Sequence, residues 1–227
     1  MLPKVIIHQA LILNDWGDES NWDRRFEFRL RQLYHPDALL INLSGCGTTP
    51  VDRLRRDGED GELMWDPRPY RNQPFLIIPD HQGVLEHHLD DLSEIPVRQS
   101  IVILVSAATR SSYLKELKHR NMNFVITGLD RINFQMAFEV LNHRFQITSI
   151  RSDGGTWLNQ DLLDQGVVDE ISLVIRSSPD QPQLSALLHP LNESFTLQLI
   201  DSEPVQDQAL WVRYQVLNRR CRVVDGV

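Results

Sequence analysis

The chain has 227 residues, 41% apolar and 24% charged, a composition typical of one α/β domain or at most two small ones. Its 31 acidic and 23 basic residues give a net charge of -8, which argues against nonspecific nucleic-acid binding. No apolar run approaches the roughly 18 residues that cross a bilayer. The two cysteines, Cys46 and Cys221, indicate neither a disulfide framework nor a zinc cluster, so we expect a cytoplasmic protein.

The predicted strands and helices alternate along the chain. Residues 5–13 form a continuous apolar run, which favours a strand buried on both faces of a parallel sheet. The other predicted elements are a helix over 21–33, strands over 37–43, 75–78, 100–105, 123–127, 147–151 and 168–175, and helices from a Thr109 cap to about His119, over 132–142 and over 157–164. The tail, residues 195–200 and 210–216, alternates like an antiparallel hairpin with a long connection. This order predicts helices on both sides of a mixed sheet, in a single domain over residues 1–227.

Two glycine turns follow predicted strands and are candidate phosphate sites. Asp153-Gly154-Gly155-Thr156 leads directly into a helix, where backbone amides can point at an anion. Gly45-Cys46-Gly47-Thr48 is followed by Pro50 and an irregular stretch over residues 50–73. Neither turn is a complete dinucleotide or Walker motif. On spacing alone, a glycine pair between a strand and a helix is more often a tight connection than a ligand site.

The run from residue 147 to 175 carries a more specific pattern. After the predicted strand come Asp153-Gly154-Gly155, a leucine-bearing helix, and Gly166-Val167-Val168-Asp169-Glu170 before the next strand. This pattern resembles the reductase of riboflavin biosynthesis, the C-terminal half of the bifunctional deaminase-reductase. Weaker matches lie upstream, at residues 10–15, 18–22, 37–48 and 74–80, so the resemblance covers nearly the whole chain.

The resemblance implies a three-layer α-β-α fold of dihydrofolate-reductase type, with a mostly parallel sheet and antiparallel C-terminal strands. It also implies a homodimer that uses NADPH and passes hydride to the ribosyl C1 of a substrate like 5-amino-6-(5-phosphoribosylamino)uracil. The cofactor residues that it implies are Gly45, Gly47, Thr48, Asp153, Gly154, Gly155 and Thr156. The substrate residues that it implies are Asn14, Ser20, Trp22 and Arg53, and it assigns no catalytic residue.

Departures from the family pattern leave other functions open. Asn14 stands where the family has an aspartate, and an amide cannot exchange a proton as a carboxylate does. Arg53 belongs to a basic cluster that either clamps a substrate phosphate or forms a solvated loop. One alternative is therefore a non-catalytic or substrate-diverged relative that binds a nucleotide or a partner. Another is a related enzyme that reduces a pterin.

Other polar groups in the sequence have simpler interpretations. His87 and His88 are adjacent, and neighbouring side chains rarely chelate one ion, so we expect no metal. His8 lies within the first strand and is expected to be a hydrogen-bonded core residue. The pair Asp169-Glu170 is expected to face water or a helix terminus and is assigned no chemistry. No Ser-His-Asp spacing indicates a hydrolase.

Overall fold

A computed structural model describes residues 2–13, 34–42, 74–93, 101–177, 196–205 and 209–217. In these ranges the strands are β1 (Lys4–Leu13), β2 (Ala38–Leu40), β3 (Phe75–Pro79), β4 (Ile101–Val105), β5 (Asn123–Ile126), β6 (Ser149–Ser152), β7 (Glu170–Ser177), β8 (Leu197–Val205) and β9 (Ala209–Val216). The α-helices are α1 (Leu89–Ser93), which follows a 3-10 turn over Val84–His88, α2 (Ser111–His119), α3 (Phe134–Phe145) and α4 (Gly155–Asp164). The predicted helix over residues 21–33 lies outside the described residues.

Contacts between Cα atoms divide the chain into two compact units. The first contains Met1–Pro3 and Pro36–Ile150, and the second contains Lys4–His35 and Arg151–Val227. The chain passes from one unit to the other within β6. A single domain over residues 1–227 stays a prediction.

The first unit contains a parallel sheet with the strand order β5-β4-β3-β2. Every residue of β4 is buried, as expected for a central strand that is covered on both faces. The core of this unit is formed by Leu76, Ile78, Leu85, Leu89, Leu92, Ile101, Ile103, Val105, Tyr113, Leu117 and Met122. The apolar runs that predicted these strands therefore identified the interior correctly.

A buried carboxylate, Asp80, is hydrogen-bonded to Tyr113 of this core. Asp80 directly follows β3 and is only 4% exposed. It accepts hydrogen bonds from the backbone amides of Val84 and Leu85, at 2.8 and 3.0 Å, and from the Tyr113 hydroxyl at 2.7 Å. Burial next to this carboxylate raises the pKa of Tyr113, so the phenol stays protonated and continues to donate. Asp80 thus joins β3, the 3-10 turn and α2.

The second unit contains a mixed sheet with the strand order β1-β7-β9-β8. β1 and β7 are parallel, whereas β9 is antiparallel to both β7 and β8. The predicted antiparallel C-terminal strands are therefore confirmed. The predicted long connection is wrong, because β8 continues to Val205 and only residues 206–208 separate it from β9.

The start of α2 also differs from the prediction. The helix begins at Ser111, and Arg110 rather than Thr109 is its N-cap residue. The Thr109 hydroxyl instead accepts from the Ser106 amide at 3.1 Å and donates to the His81 carbonyl at 3.0 Å. A threonine side chain bonds whichever backbone groups the tertiary structure brings near it, so the sequence alone did not place this cap. No helix in the described part of the chain is long and apolar enough to span a membrane.

Candidate functional site

The turn between β6 and α4 has two glycines with different structural roles. A Cβ atom added to Gly154 would lie 2.3 Å from Cδ2 of Leu158, so this glycine permits the close approach of the helix to the turn. Gly155 has φ +75°, in the left-handed region that glycine adopts without strain. Gly155 is exposed, and a Cβ atom there would meet no atom of the described residues within 4 Å. One glycine is therefore needed for packing, and the other leaves an accessible surface.

The first turn of α4 has no side-chain cap for its backbone amides. Its N-cap residue, Gly154, has no side chain to accept from the helix amides, and the first turn carries no acidic residue. Thr156 is exposed, and Trp157 is 86% exposed. The uncapped amides and the positive end of the helix dipole together favour a phosphate or another anion at this turn.

A chain of side-chain hydrogen bonds connects the β6–α4 turn to β1. The buried Ser152 hydroxyl donates to Oδ1 of Asn159 at 2.8 Å, and Nδ2 of Asn159 donates to Oε1 of Gln9 at 3.3 Å. Nε2 of Gln9 then donates to Oγ1 of Thr156 at 3.4 Å. Because the threonine oxygen already accepts, its own proton remains available to a ligand. β1 thus positions a hydroxyl donor at the start of α4.

An ion pair balances the charge of the residue that opens the turn. Nε and Nη2 of Arg151 donate to the carboxylate of Asp153, with the shortest distance 2.7 Å. Fork-shaped pairing of this kind is the strongest arrangement available to these two groups. An anion that approaches the α4 amides therefore meets a neutralised carboxylate.

Another set of hydrogen bonds begins at His8. Its Nδ1 lies 3.1 Å from Oγ of Ser172, which is fully buried and accepts from Nε1 of Trp211 at 2.8 Å. The strand register aligns His8 with Ser172, and Ser172 with Arg213. The expected hydrogen bond of His8 is confirmed. Burial lowers the pKa of His8 from 6.5 to about 4, while the charges of Asp153 and Arg151 act in opposite directions on it.

Replacement of His8 by glutamine is expected to make the stability of the fold less dependent on pH. The folded pKa of His8 lies below its unfolded value, so the unfolded chain binds the proton more tightly. As the pH falls from 6.5 towards 4, the wild-type chain should lose up to about 3 kcal/mol that the His8→Gln variant keeps. Urea unfolding at pH 7.0, 5.5 and 4.5 measures this difference. Equal pH dependence in the two proteins would contradict it.

The prediction that Glu170 faces water or a helix terminus is wrong. Glu170 is only 5% exposed and pairs with Nζ of Lys4 at 2.8 Å. It also accepts a short hydrogen bond from the hydroxyl of Tyr34, whose pKa is raised by burial and then by this contact. Its neighbour Asp169 accepts from the backbone amide of Val5 at 2.8 Å. Because β7 pairs with β1, the partners of both carboxylates are more than 100 residues away in sequence.

The structure brings together only part of the predicted site. Asp153, Gly154, Gly155 and Thr156 form one continuous turn, as described above. The remaining predicted site residues lie outside the described residues: Asn14, Ser20, Trp22, Gly45, Gly47, Thr48 and Arg53. In the described part of the chain, no group of three or more histidine, cysteine or acidic residues is arranged to hold a metal.

Sequence reasoning missed the polar partners of two β1 residues, His8 and Gln9. Gln9 bonds to Asn159, and Ser172 and Trp211 orient His8. The only available signal was the presence of consecutive polar residues, His8 and Gln9, inside an otherwise apolar strand. Such residues need partners when the strand is buried, but their identity depends on the fold.

A family model, the RibD C-terminal domain, matches residues 35–178, which is more than half of the chain. The chain belongs to the RibD C-terminal domain family. A sequence comparison with curated proteins found no match.

Several solved structures are similar to this RibD C-terminal domain protein. A pyrimidine reductase-like protein from Corynebacterium diphtheriae has a TM-score of 0.63 at 16% identity, covering 95% of this chain and 92% of that one. The riboflavin biosynthesis reductase Rib7 of Saccharomyces cerevisiae has a TM-score of 0.59 at 16% identity, with coverages of 95% and 90%. Acinetobacter baumannii RibD has a TM-score of 0.59 at 16% identity, but this chain spans only 58% of it. These likenesses confirm the predicted α/β fold of dihydrofolate-reductase type.

Proposed function

We propose that the protein is an NADPH-dependent reductase of the riboflavin-biosynthesis type. The observation that carries the proposal is the exposed turn at Gly155, which leads into an uncapped helix start in a member of the RibD C-terminal domain family. Bound NADPH would supply hydride to the ribosyl C1 of 5-amino-6-(5-phosphoribosylamino)uracil or a similar substrate, opening the ribose to a ribityl chain.

The residues at the β6–α4 turn fit a cofactor phosphate. The α4 amides and the Thr156 hydroxyl would donate to its oxygens, and Gly155 would let the backbone approach closely. The Arg151–Asp153 ion pair would reduce repulsion from the carboxylate. The protein's contribution to the reaction is then to hold the two reacting carbons in contact and to exclude water around them.

The other predicted site residues complete the proposal. Gly45, Gly47 and Thr48 would line the remaining part of the cofactor site, and Asn14, Ser20, Trp22 and Arg53 the substrate site. Because only two distant cysteines occur and neither indicates a disulfide framework, the proposed location is the cytoplasm.

A titration followed by an activity measurement tests the function. Because Trp157 is exposed in the first turn of α4, NADPH binding should quench tryptophan fluorescence in the wild type and less so in Trp157→Phe. Absorbance at 340 nm should then fall when the ribosylamino-uracil precursor is added. Binding without turnover would support the rival function, a non-catalytic or substrate-diverged relative, and turnover of dihydrofolate would indicate the pterin enzyme. Absence of NADPH binding would refute the proposed function.

We also propose that the protein is a homodimer. β8 lies at the end of the strand order in the second unit. Leu199, Ile200 and Leu210 of the β8–β9 pair are between 42% and 54% exposed, although large apolar side chains are usually buried. A second copy of the chain would cover them. Light scattering should give twice the monomer mass, and a monomer at micromolar concentration would refute this proposal.

A further inference from the structure

Trp157 is an exposed aromatic side chain beside the turn that is proposed to hold the cofactor phosphate. In the part of the chain that the structure describes, it is the most exposed of the large apolar side chains, at 86%. It lies in the first turn of α4, and Gly155 and Thr156, which precede it, are exposed as well. The Cα–Cβ bonds of a helix are inclined towards its N-terminus, which directs this side chain towards the turn. A planar apolar surface is therefore available next to the proposed phosphate site.

Gln160 presents a hydrogen-bond acceptor on the same side of α4. It follows Trp157 by three residues, and side chains at this spacing are neighbours on a helix surface. Nε2 of Gln160 donates to Oδ1 of Asp164 at 2.9 Å. Because an ionised carboxylate only accepts hydrogen bonds, this contact fixes the orientation of the Gln160 amide and directs Oε1 away from Asp164. The surface of α4 thus offers an aromatic ring and, one turn further along, a carbonyl oxygen.

Of the two aromatic rings of NADPH, the adenine is the one that suits this surface. The nicotinamide has to meet the substrate where water is excluded, whereas Trp157 is open to water. The adenine takes no part in hydride transfer, so it can bind on the outside of the protein. Its face stacks on aromatic side chains, and its 6-amino group is a donor that the oxygen of a glutamine amide accepts.

We propose that Trp157 stacks against the adenine ring of NADPH and that Oε1 of Gln160 accepts a hydrogen bond from the 6-amino group. This inference rests on the proposed function, because it requires the cofactor phosphate at the β6–α4 turn. It adds two residues that select the base of the nucleotide. Hypoxanthine and guanine carry an oxygen in place of the 6-amino group, so Oε1 of Gln160 would repel them.

The first experiment tests the selection of the base. Isothermal titration calorimetry compares NADPH with deamino-NADPH, in which hypoxanthine replaces adenine. We expect the wild type to bind deamino-NADPH about fivefold more weakly, the usual effect of one lost hydrogen bond. Gln160→Met keeps the length of the side chain but has no amide oxygen, so it should bind both dinucleotides with equal affinity. Equal binding of both by the wild type, or a preference for NADPH that persists in Gln160→Met, overturns the inference.

The second experiment tests the stacking. We expect Trp157→Ala to raise the Kd for NADPH about tenfold or more, because a base loses its aromatic partner, and Trp157→Phe to recover part of the loss. Leu129→Ala is the matched control, since it removes another highly exposed apolar side chain, 79% exposed, and should leave the Kd unchanged. A urea unfolding curve for each variant shows that the fold is retained. Equal Kd values in Trp157→Ala and the wild type overturn the inference.

The wild type and Trp157→Ala together separate this inference from the proposed function. Trp157→Ala that binds NADPH as tightly as the wild type, but has a smaller mass by light scattering, would place Trp157 at an interface between copies of the chain. That result overturns the inference and leaves the proposed function standing. Absence of NADPH binding by the wild type overturns both.

Discussion

Replacement of Gly155 by alanine is expected to weaken NADPH binding at least tenfold while leaving the protein folded. With φ at +75°, the alanine costs about 1–2 kcal/mol of folding stability. In the described part of the chain no atom lies within 4 Å of its Cβ position, so none of these residues opposes the substitution. The same atom would hold the cofactor phosphate away from the α4 amides, where short charge-assisted hydrogen bonds require close approach. Fluorescence titration with NADPH measures the loss.

Replacement of Gly154 by alanine is the matched control. This residue adopts a negative φ, so the backbone tolerates alanine, but the added Cβ atom would lie 2.3 Å from Cδ2 of the buried Leu158. We expect a loss of about 1–3 kcal/mol in the free energy of unfolding. Relative to this loss of stability, NADPH affinity should fall less than it does in Gly155→Ala. If Gly155→Ala binds NADPH as tightly as the wild type, the cofactor does not contact this turn.

Replacement of Asp80 by alanine is expected to destabilise the protein by about 3 kcal/mol or more. The change leaves two backbone amides and the hydroxyl of Tyr113 without their acceptor in a region that is shielded from water. Three elements of the first unit lose their common contact at once. Urea unfolding at pH 7 gives the change in the free energy of unfolding.

Two further variants separate the contributions of Asp80. Tyr113→Phe removes only the phenol contact and should cost about 1 kcal/mol, because the carboxylate keeps its two amide donors. Asp80→Asn keeps one acceptor oxygen and should lie between the two. A loss in Asp80→Ala no greater than that in Tyr113→Phe would show that the amides find other partners.

The β6–α4 turn is the part of the candidate site that the sequence predicted. A strand, two glycines and a helix follow one another directly, so Asp153 to Thr156 could be predicted as a phosphate site from local features. The helix begins at Gly155, two residues before the predicted start at 157. Its first turn lacks a capping side chain, which the usual signals for a helix start require.

The hydrogen-bond partners of buried polar residues could not be predicted from the sequence. Glu170 was expected to be solvated, yet it lies in a buried strand with Lys4 and Tyr34 as partners. Thr109 has the chemistry of a helix cap but bonds to Ser106 and His81 instead. In each case the residue type permitted both arrangements, and nonlocal pairing decided between them.

The amino-acid sequence by itself determined which segments form the parallel strands, because continuous apolar runs are stable only when both faces are covered. It also determined the glycine turn, because Gly154 packs against Leu158, which is only four residues further along the chain. Only the tertiary structure decided that His8 meets Ser172, 164 residues away, and that Trp211 orients them both. That contact depends on the register between β1, β7 and β9, which is set by pairing across the whole sheet rather than by local preference.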